Sequence, residues 1–162
     1  MNTYESLKFC NGAHNNKNIE GWETLYEFNK TLENSKLDAK VYKKNNRIIL
    51  AFSGTYLGQS NDIINSAGIF MSNKIPTQYK IAENLFNKVQ EKYPKAHIEF
   101  TGYSLGGTIS NLLAHYTGLP STAIAPIGTK HIVNAHPTYF KYDDSKIQSY
   151  GRKSDYFLFS NK

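Results

Sequence analysis

The chain has 162 residues, and only one of them, Cys10, is a cysteine. No internal disulfide can form, and zinc sites built on cysteine pairs are excluded. Arginine is nearly as scarce, at Arg47 and Arg152, although Lys and Arg together number 19 against 13 Asp and Glu. The positive balance of +6 is therefore lysine, scattered from Lys8 to Lys162 as on a solvated surface. Base-edge recognition leans on the bidentate guanidinium, so a nucleic-acid partner is not expected, whereas an anionic membrane surface is compatible with this charge. No apolar run approaches the roughly 20 residues of a membrane span. The N-terminus, MNTYESLKFCNGAHNN, lacks the apolar stretch of roughly 7–15 residues of a secretory signal. These absences lead to the expectation of a cytoplasmic protein. Repeats and low-complexity tracts are also missing.

What is present reads as one globular domain over residues 1–162. Hydrophobic residues make up 40% and aromatics 14%, far above the usage of disordered segments. Trp22, Leu25, Tyr26 and Leu32 recur at helical spacing and predict a helix over about 20–32. Residues 37–43 alternate and RIILAF at 47–52 is β-rich, so a hairpin is expected with a tight turn at 44–46. Residues 78–93 place Ile81, Ala82, Leu85, Phe86 and Val89 on one face of a helix stopped by Pro94. HIEFT at 97–101 predicts a strand, followed after a glycine-rich turn by a helix to about Tyr116, ended by Gly118 and Pro120. Further strands are expected at 121–127 and 147–150, with a short helix about Asp62. Strands alternating with helices imply parallel pairing, and hence an α/β sandwich.

Gly102-Tyr103-Ser104-Leu105-Gly106 is a G-x-S-x-G pattern between a predicted strand and a predicted helix. On such a turn the serine is held in a strained conformation with its hydroxyl above the sheet. Gly102 and Gly106 remove side chains that would collide there, and Gly107 lets the helix pack closely. The start of the helix directs its positive dipole end at the site, so the Leu105 amide is a candidate oxyanion donor. A second donor normally comes from the loop after an earlier strand; here that loop is Ser53-Gly54-Thr55, and Thr55 is the candidate.

The run RIILAFSGT, then NDIIN, then QYKIAENLFNKVQEKYPKAHIEFTGYSLGGTISNLLAHYTG resembles the class 3 lipase family and its bacterial lipase-like relatives, with EGW at 20–22 included. The similarity extends from Glu20 to Ile127, with a weaker echo at IQSYGRKSDYF. It implies an α/β-hydrolase-like fold, a mostly parallel sheet flanked by helices, acting on acyl esters of lipids without metal or cofactor. It also implies Ser104 as nucleophile, the Leu105 amide and Thr55 as oxyanion donors, and Asp155 as the triad acid. Three positions depart from the family pattern: Ser53 for arginine, Tyr103 for histidine, and Ile63 for tryptophan beside Asp62, a loop-organising carboxylate.

The base is the departure that bears on chemistry. In this fold the triad runs serine, acid, histidine, yet residues 156–162 contain no histidine. Of the five histidines, His14, His97 and His115 read as surface or packing residues. His131 and His136 follow the strand at 121–127 and leave the sheet at the edge of the elbow, so either is a candidate base. Three readings stay open: a lipase with a relocated histidine such as His136, the front portion of an enzyme truncated at its C-terminus, and an impaired or partner-completed domain that acts as a binding or interaction protein. Residues 56–60 and 71–77 are lid candidates, while substrate preference and oligomeric state are not legible.

Overall fold

The computed structural model describes residues 1–33, 37–54 and 72–151. Its six described strands form a single sheet in sequential order: β1 (Glu23–Thr24), β2 (Ala39–Lys44), β3 (Arg47–Phe52), β4 (His97–Tyr103), β5 (Ser121–Ile124) and β6 (Ile147–Tyr150). The first three pair antiparallel, and β3 to β6 pair parallel. Sequence and structure agree here on a mostly parallel sheet flanked by helices, the α/β-hydrolase-like class. The expected hairpin is β2–β3, with Lys44 opposite Arg47 and the turn made by Asn45 at φ 53°, a left-handed conformation that asparagine tolerates.

Two long helices cover one face. In α3 (Thr77–Lys92) the buried stripe is Tyr79, Ala82, Leu85, Phe86 and Val89, which leaves Ile81 only partly buried at its margin. In α4 (Leu105–Thr117) the chain ends on Gly118 at φ 72°, a left-handed cap that favours glycine. These helices pack on Ile48, Leu50, Phe52 and Phe100. The opposite face is covered by α1 (Thr3–His14), whose start is fixed by a capping box: the Glu5 N–H donates to Asn2 Oδ1 while the Asn2 N–H donates to Glu5 Oε2. Its core is smaller and comprises Phe9, Ala13, Ile19, Tyr42, Ile49 and Ala51.

Three expectations are corrected. The segment about 20–32 is not one helix: β1 is followed by a 3₁₀ turn (Tyr26–Phe28) and a single helical turn, α2 (Asn29–Leu32). Gly21 takes φ 76°, Thr24 pairs with Tyr42, and the Leu25 N–H donates to the Val41 carbonyl at 2.9 Å. Trp22 packs against Phe9 on the α1 side, while Leu25 joins the core of the opposite side, so the two serve different faces as strand residues do. The strand expected at 121–127 stops at Ile124, because Ala125 turns to φ 47° ahead of Pro126. Helices α1 and α5 (Lys130–Ala135) stand where no helix was expected. The expected helix about Asp62 lies outside the described residues.

Candidate active site

All four parallel strands end at the same edge of the sheet, the edge at which open α/β sheets bind ligands. There β4 delivers its chain straight into α4, and the residue between them is Ser104, at φ 51° and ψ −118°. A non-glycine residue in this region costs about 1–3 kcal/mol and persists only where its surroundings enforce it. The enforcement is visible in the neighbouring backbone. The Ser104 N–H donates to the Ile124 carbonyl at 2.8 Å, and the Ser104 carbonyl accepts from the Thr108 N–H at 3.1 Å. Any Cβ on Gly102 would collide with the Gly106 carbonyl, and one on Gly106 would collide with the Phe52 carbonyl. The two glycines of the motif thus let the first turn of α4 rest directly on the ends of β4 and β3.

The loop leaving β3 is equally close. A Cβ on Gly54 would stand 2.9 Å from the Tyr103 carbonyl oxygen and 3.1 Å from the Ser104 Cβ. Gly54 therefore brings the chain entering Thr55 against the serine, although Thr55 itself lies outside the described residues. Leu105 opens α4, and the first N–H groups of a helix have no acceptor within it. Its amide thus stands beside Ser104 with the positive end of a 13-residue helix behind it. Tyr103, in the place where the lipase pattern has histidine, is exposed.

Thr108 is a structural partner that the sequence reading missed. Its buried hydroxyl accepts from the Ile127 N–H at 2.8 Å and donates to the Ile127 carbonyl at 3.0 Å. One side chain thus pins the loop after β5 to the second turn of α4. The available signal was a threonine directly after the glycine pair.

The histidines separate by position. His97 begins β4, at the edge opposite the elbow, and its N–H donates to the Asn46 carbonyl. His115 lies about 15 Å of helix rise beyond the elbow, where its Nδ1 is 2.8 Å from the Tyr142 carbonyl. His14 ends α1. His131 lies in α5, and His136 caps that helix with Nε2 2.8 Å from the Asn73 carbonyl. Because a carbonyl only accepts, Nε2 of His136 carries the proton, and Nδ1 is the nitrogen left to take one. Among the described residues, no hydrogen bond joins a histidine to Ser104. Asp155, Asp62, residues 56–60 and Met71 lie outside the described residues. Also among the described residues, no group of three or more His, Cys, Asp or Glu side chains forms a metal cluster, and no helix is long and apolar enough to cross a membrane.

A family model described as "Phospholipase-like: Tle-like phospholipase domain" matches residues 16–156, most of the chain. A curated relative, "Putative lipase ATG15" from Pichia angusta, is 38% identical over 50 residues, which are 31% of this chain and 9% of that protein. The chain thus spans under a tenth of that relative's length. Among solved structures, a triacylglycerol lipase from Penicillium expansum aligns over 91% of this chain and 65% of its own, with 12% identity and a TM-score of 0.47.

Proposed function

The chain belongs to the Tle-like phospholipase domain family, a family of lipid hydrolases, and from that premise we propose that it is a serine ester hydrolase acting through Ser104. The observation that carries this reading is the backbone of Ser104, held at φ 51° between a parallel strand and a helix by glycines on both sides. Such a turn stores strain that presents a hydroxyl above the sheet. In the proposed mechanism Ser104 Oγ attacks an acyl carbonyl, and the resulting oxyanion is held by the Leu105 amide and Thr55. The acyl-enzyme is then released by water. Asp155 is the proposed acid, and the finer kinship is with class 3 lipases. We place the domain over the whole chain and its substrates among lipid or other acyl esters, with contact at an anionic membrane surface favoured by the net charge of +6. A cytoplasmic location is part of the same proposal.

The base is assigned to His136 through Nδ1, since α5 follows β5 at the elbow edge and Asn73 precedes α3 at that same edge. A second reading, a lipid-binding domain with impaired turnover, draws on the absence of a histidine hydrogen bond to Ser104 among the described residues. Without an adjacent base a serine hydroxyl is a weak nucleophile.

Labelling with a fluorophosphonate probe separates the two. Ser104 is expected to be the modified residue, with labelling abolished in Ser104→Ala and greatly slowed in His136→Ala. Labelling that persists in Ser104→Ala would overturn the nucleophile. A wild-type chain that takes up no probe would establish the impaired domain instead.

A further inference from the structure

At the β2 border of the sheet, on the elbow edge, a cleft of about 640 Å³ opens between the end of α1, α2 and the start of β2, lined from both faces. Small-molecule sites commonly occupy about 300–1,000 Å³. Lys40 lines this cleft and is only 4% exposed. Strand alternation puts its side chain on the same face as Tyr42, beneath α1. The stem of the side chain is enclosed, while its ammonium is not sealed from solvent. Here no carboxylate stands within ion-pair distance of Lys40 among the described residues. Its ammonium instead lies 5.0 Å from the centre of the Tyr26 ring, a contact that offers no hydrogen-bond acceptor.

The remaining polar lining is of mixed character. Glu33 and Asp38 are exposed at the rim, Asn16 and Asn29 add side-chain amides, and His14 completes the wall. A simple dianion would meet one cation and two opposing carboxylates. A zwitterion with a phosphodiester and an ammonium group complements both charges, with the anion inside and the cation at the rim.

The backbone at the cleft is tied to that of the elbow. The Ser53 N–H donates to the Asp38 carbonyl at 2.9 Å, and Ser53 leads directly into Gly54, which packs on Ser104. The start of β2 is two strands across from β4, about 10 Å at the usual strand spacing.

We infer that this cleft holds the zwitterionic headgroup of a phospholipid, with the phosphodiester on Lys40 Nζ and the ammonium group at the Glu33 and Asp38 rim. As a substrate subsite the inference rests on the proposed ester hydrolysis at Ser104. As a binding site it is tested without that chemistry, because glycerophosphocholine carries the headgroup and no acyl ester.

The full chain is titrated with glycerophosphocholine, inorganic phosphate and glycerol, and binding is followed by backbone amide NMR shifts. Glycerophosphocholine is expected to shift amides around Asn16, Ala39 and Lys40, and to bind better than phosphate, with glycerol silent. Loss of one charge-assisted hydrogen bond corresponds to about a tenfold weakening, and that is the effect expected of Lys40→Met, while Lys40→Arg retains binding. In Glu33→Gln/Asp38→Asn, glycerophosphocholine weakens and phosphate strengthens. Unchanged glycerophosphocholine affinity in a folded Lys40→Met protein overturns the inference, as does no binding by the wild type. Phosphate binding as tight as glycerophosphocholine, and equally dependent on Lys40, overturns the zwitterion in favour of a free-phosphate site. Fluorophosphonate labelling of the same preparations reports separately on Ser104.

Discussion

The two faces of the sheet are held by different means. Beneath α3 and α4 the contacts are between large apolar groups: Phe86 meets Phe100 edge to face at 5.6 Å, and Ile109, Leu112 and Leu113 are fully buried. Beneath α1 a smaller apolar cluster is joined by polar contacts that are buried and close. Ser6 Oγ hydrogen-bonds with Thr101 Oγ1, which donates to the Thr122 carbonyl at 2.8 Å, and Cys10 Sγ lies 3.7 Å from the same hydroxyl. Gly12 is pressed so tightly that a Cβ there would lie 2.6 Å from the Tyr42 hydroxyl oxygen. One face is stabilised mainly by volume and apolar area, the other by a smaller apolar cluster joined by hydroxyl pairing at short range. The elbow belongs to the first face in position and to the second in character, because its glycines work by close backbone approach.

That mixed character leads to the largest expected effect. Gly102→Ala introduces a methyl into backbone that cannot rotate away, so the destabilisation should reach or exceed about 3 kcal/mol, the upper end for overpacking. For a chain of this size that is a fall in Tm of roughly 6–12 °C, read by thermal denaturation. A variant within about 2 °C of wild type would show that the elbow is looser than its geometry implies.

A paired comparison tests the two faces directly. Leu112→Ala, in the volume-packed face, should cost about 2–5 kcal/mol. Ser6→Ala removes a small polar partner while Thr101 keeps its bond to the Thr122 carbonyl, and it should cost about 1 kcal/mol. Urea unfolding of both proteins measures the ratio. Equal losses would mean that the α1 face carries as much of the cooperative stability as the other.

The same difference explains what was legible in the sequence. The stripe of α3, the hairpin turn at Asn45 and the passage from β4 through the elbow into α4 were readable because apolar spacing and glycine placement express them directly. Helix α1 was not, since its buried residues are Ser6, Phe9, Cys10, Gly12 and Ala13, of which only one is a large hydrophobe. Helix α5 buries only Ile132, too little to make a periodic pattern. Trp22 and Leu25 mimicked a helical face because three-residue spacing also suits an irregular edge that feeds two cores. At the site, the placement of Ser104 and Leu105 between strand and helix was legible from the motif, while their chemical roles are proposals. The burial of Lys40 was not legible, because a lysine in an alternating strand is ordinarily read as solvated. Thr55 and Asp155 lie outside the described residues and are proposed from the sequence.

The smallest expected effect concerns charge under α1. Glu99, on β4, accepts from Arg47 Nε at 2.6 Å and lies 3.5 Å from the Met1 amine, while Arg47 also stacks over Trp22. Burial raises the pKa of such a carboxyl, but the hydrogen bond and charge of Arg47, with the amine, outweigh it and hold the group below its ordinary value. Its folded pKa is therefore lower than its unfolded one. The stability this provides is fully present above the unfolded value of about 4.3 and is lost as the pH falls through the folded value. Glu99→Gln keeps the shape and removes the titration. Wild type should thus lose urea resistance more steeply than Glu99→Gln as the pH falls from about 5 towards 3, with parallel curves above. If the two proteins instead decline in parallel through that interval, Arg47 is not holding Glu99 in its ionised form, and the α1 face depends on its hydroxyls and its small apolar cluster without that ion pair.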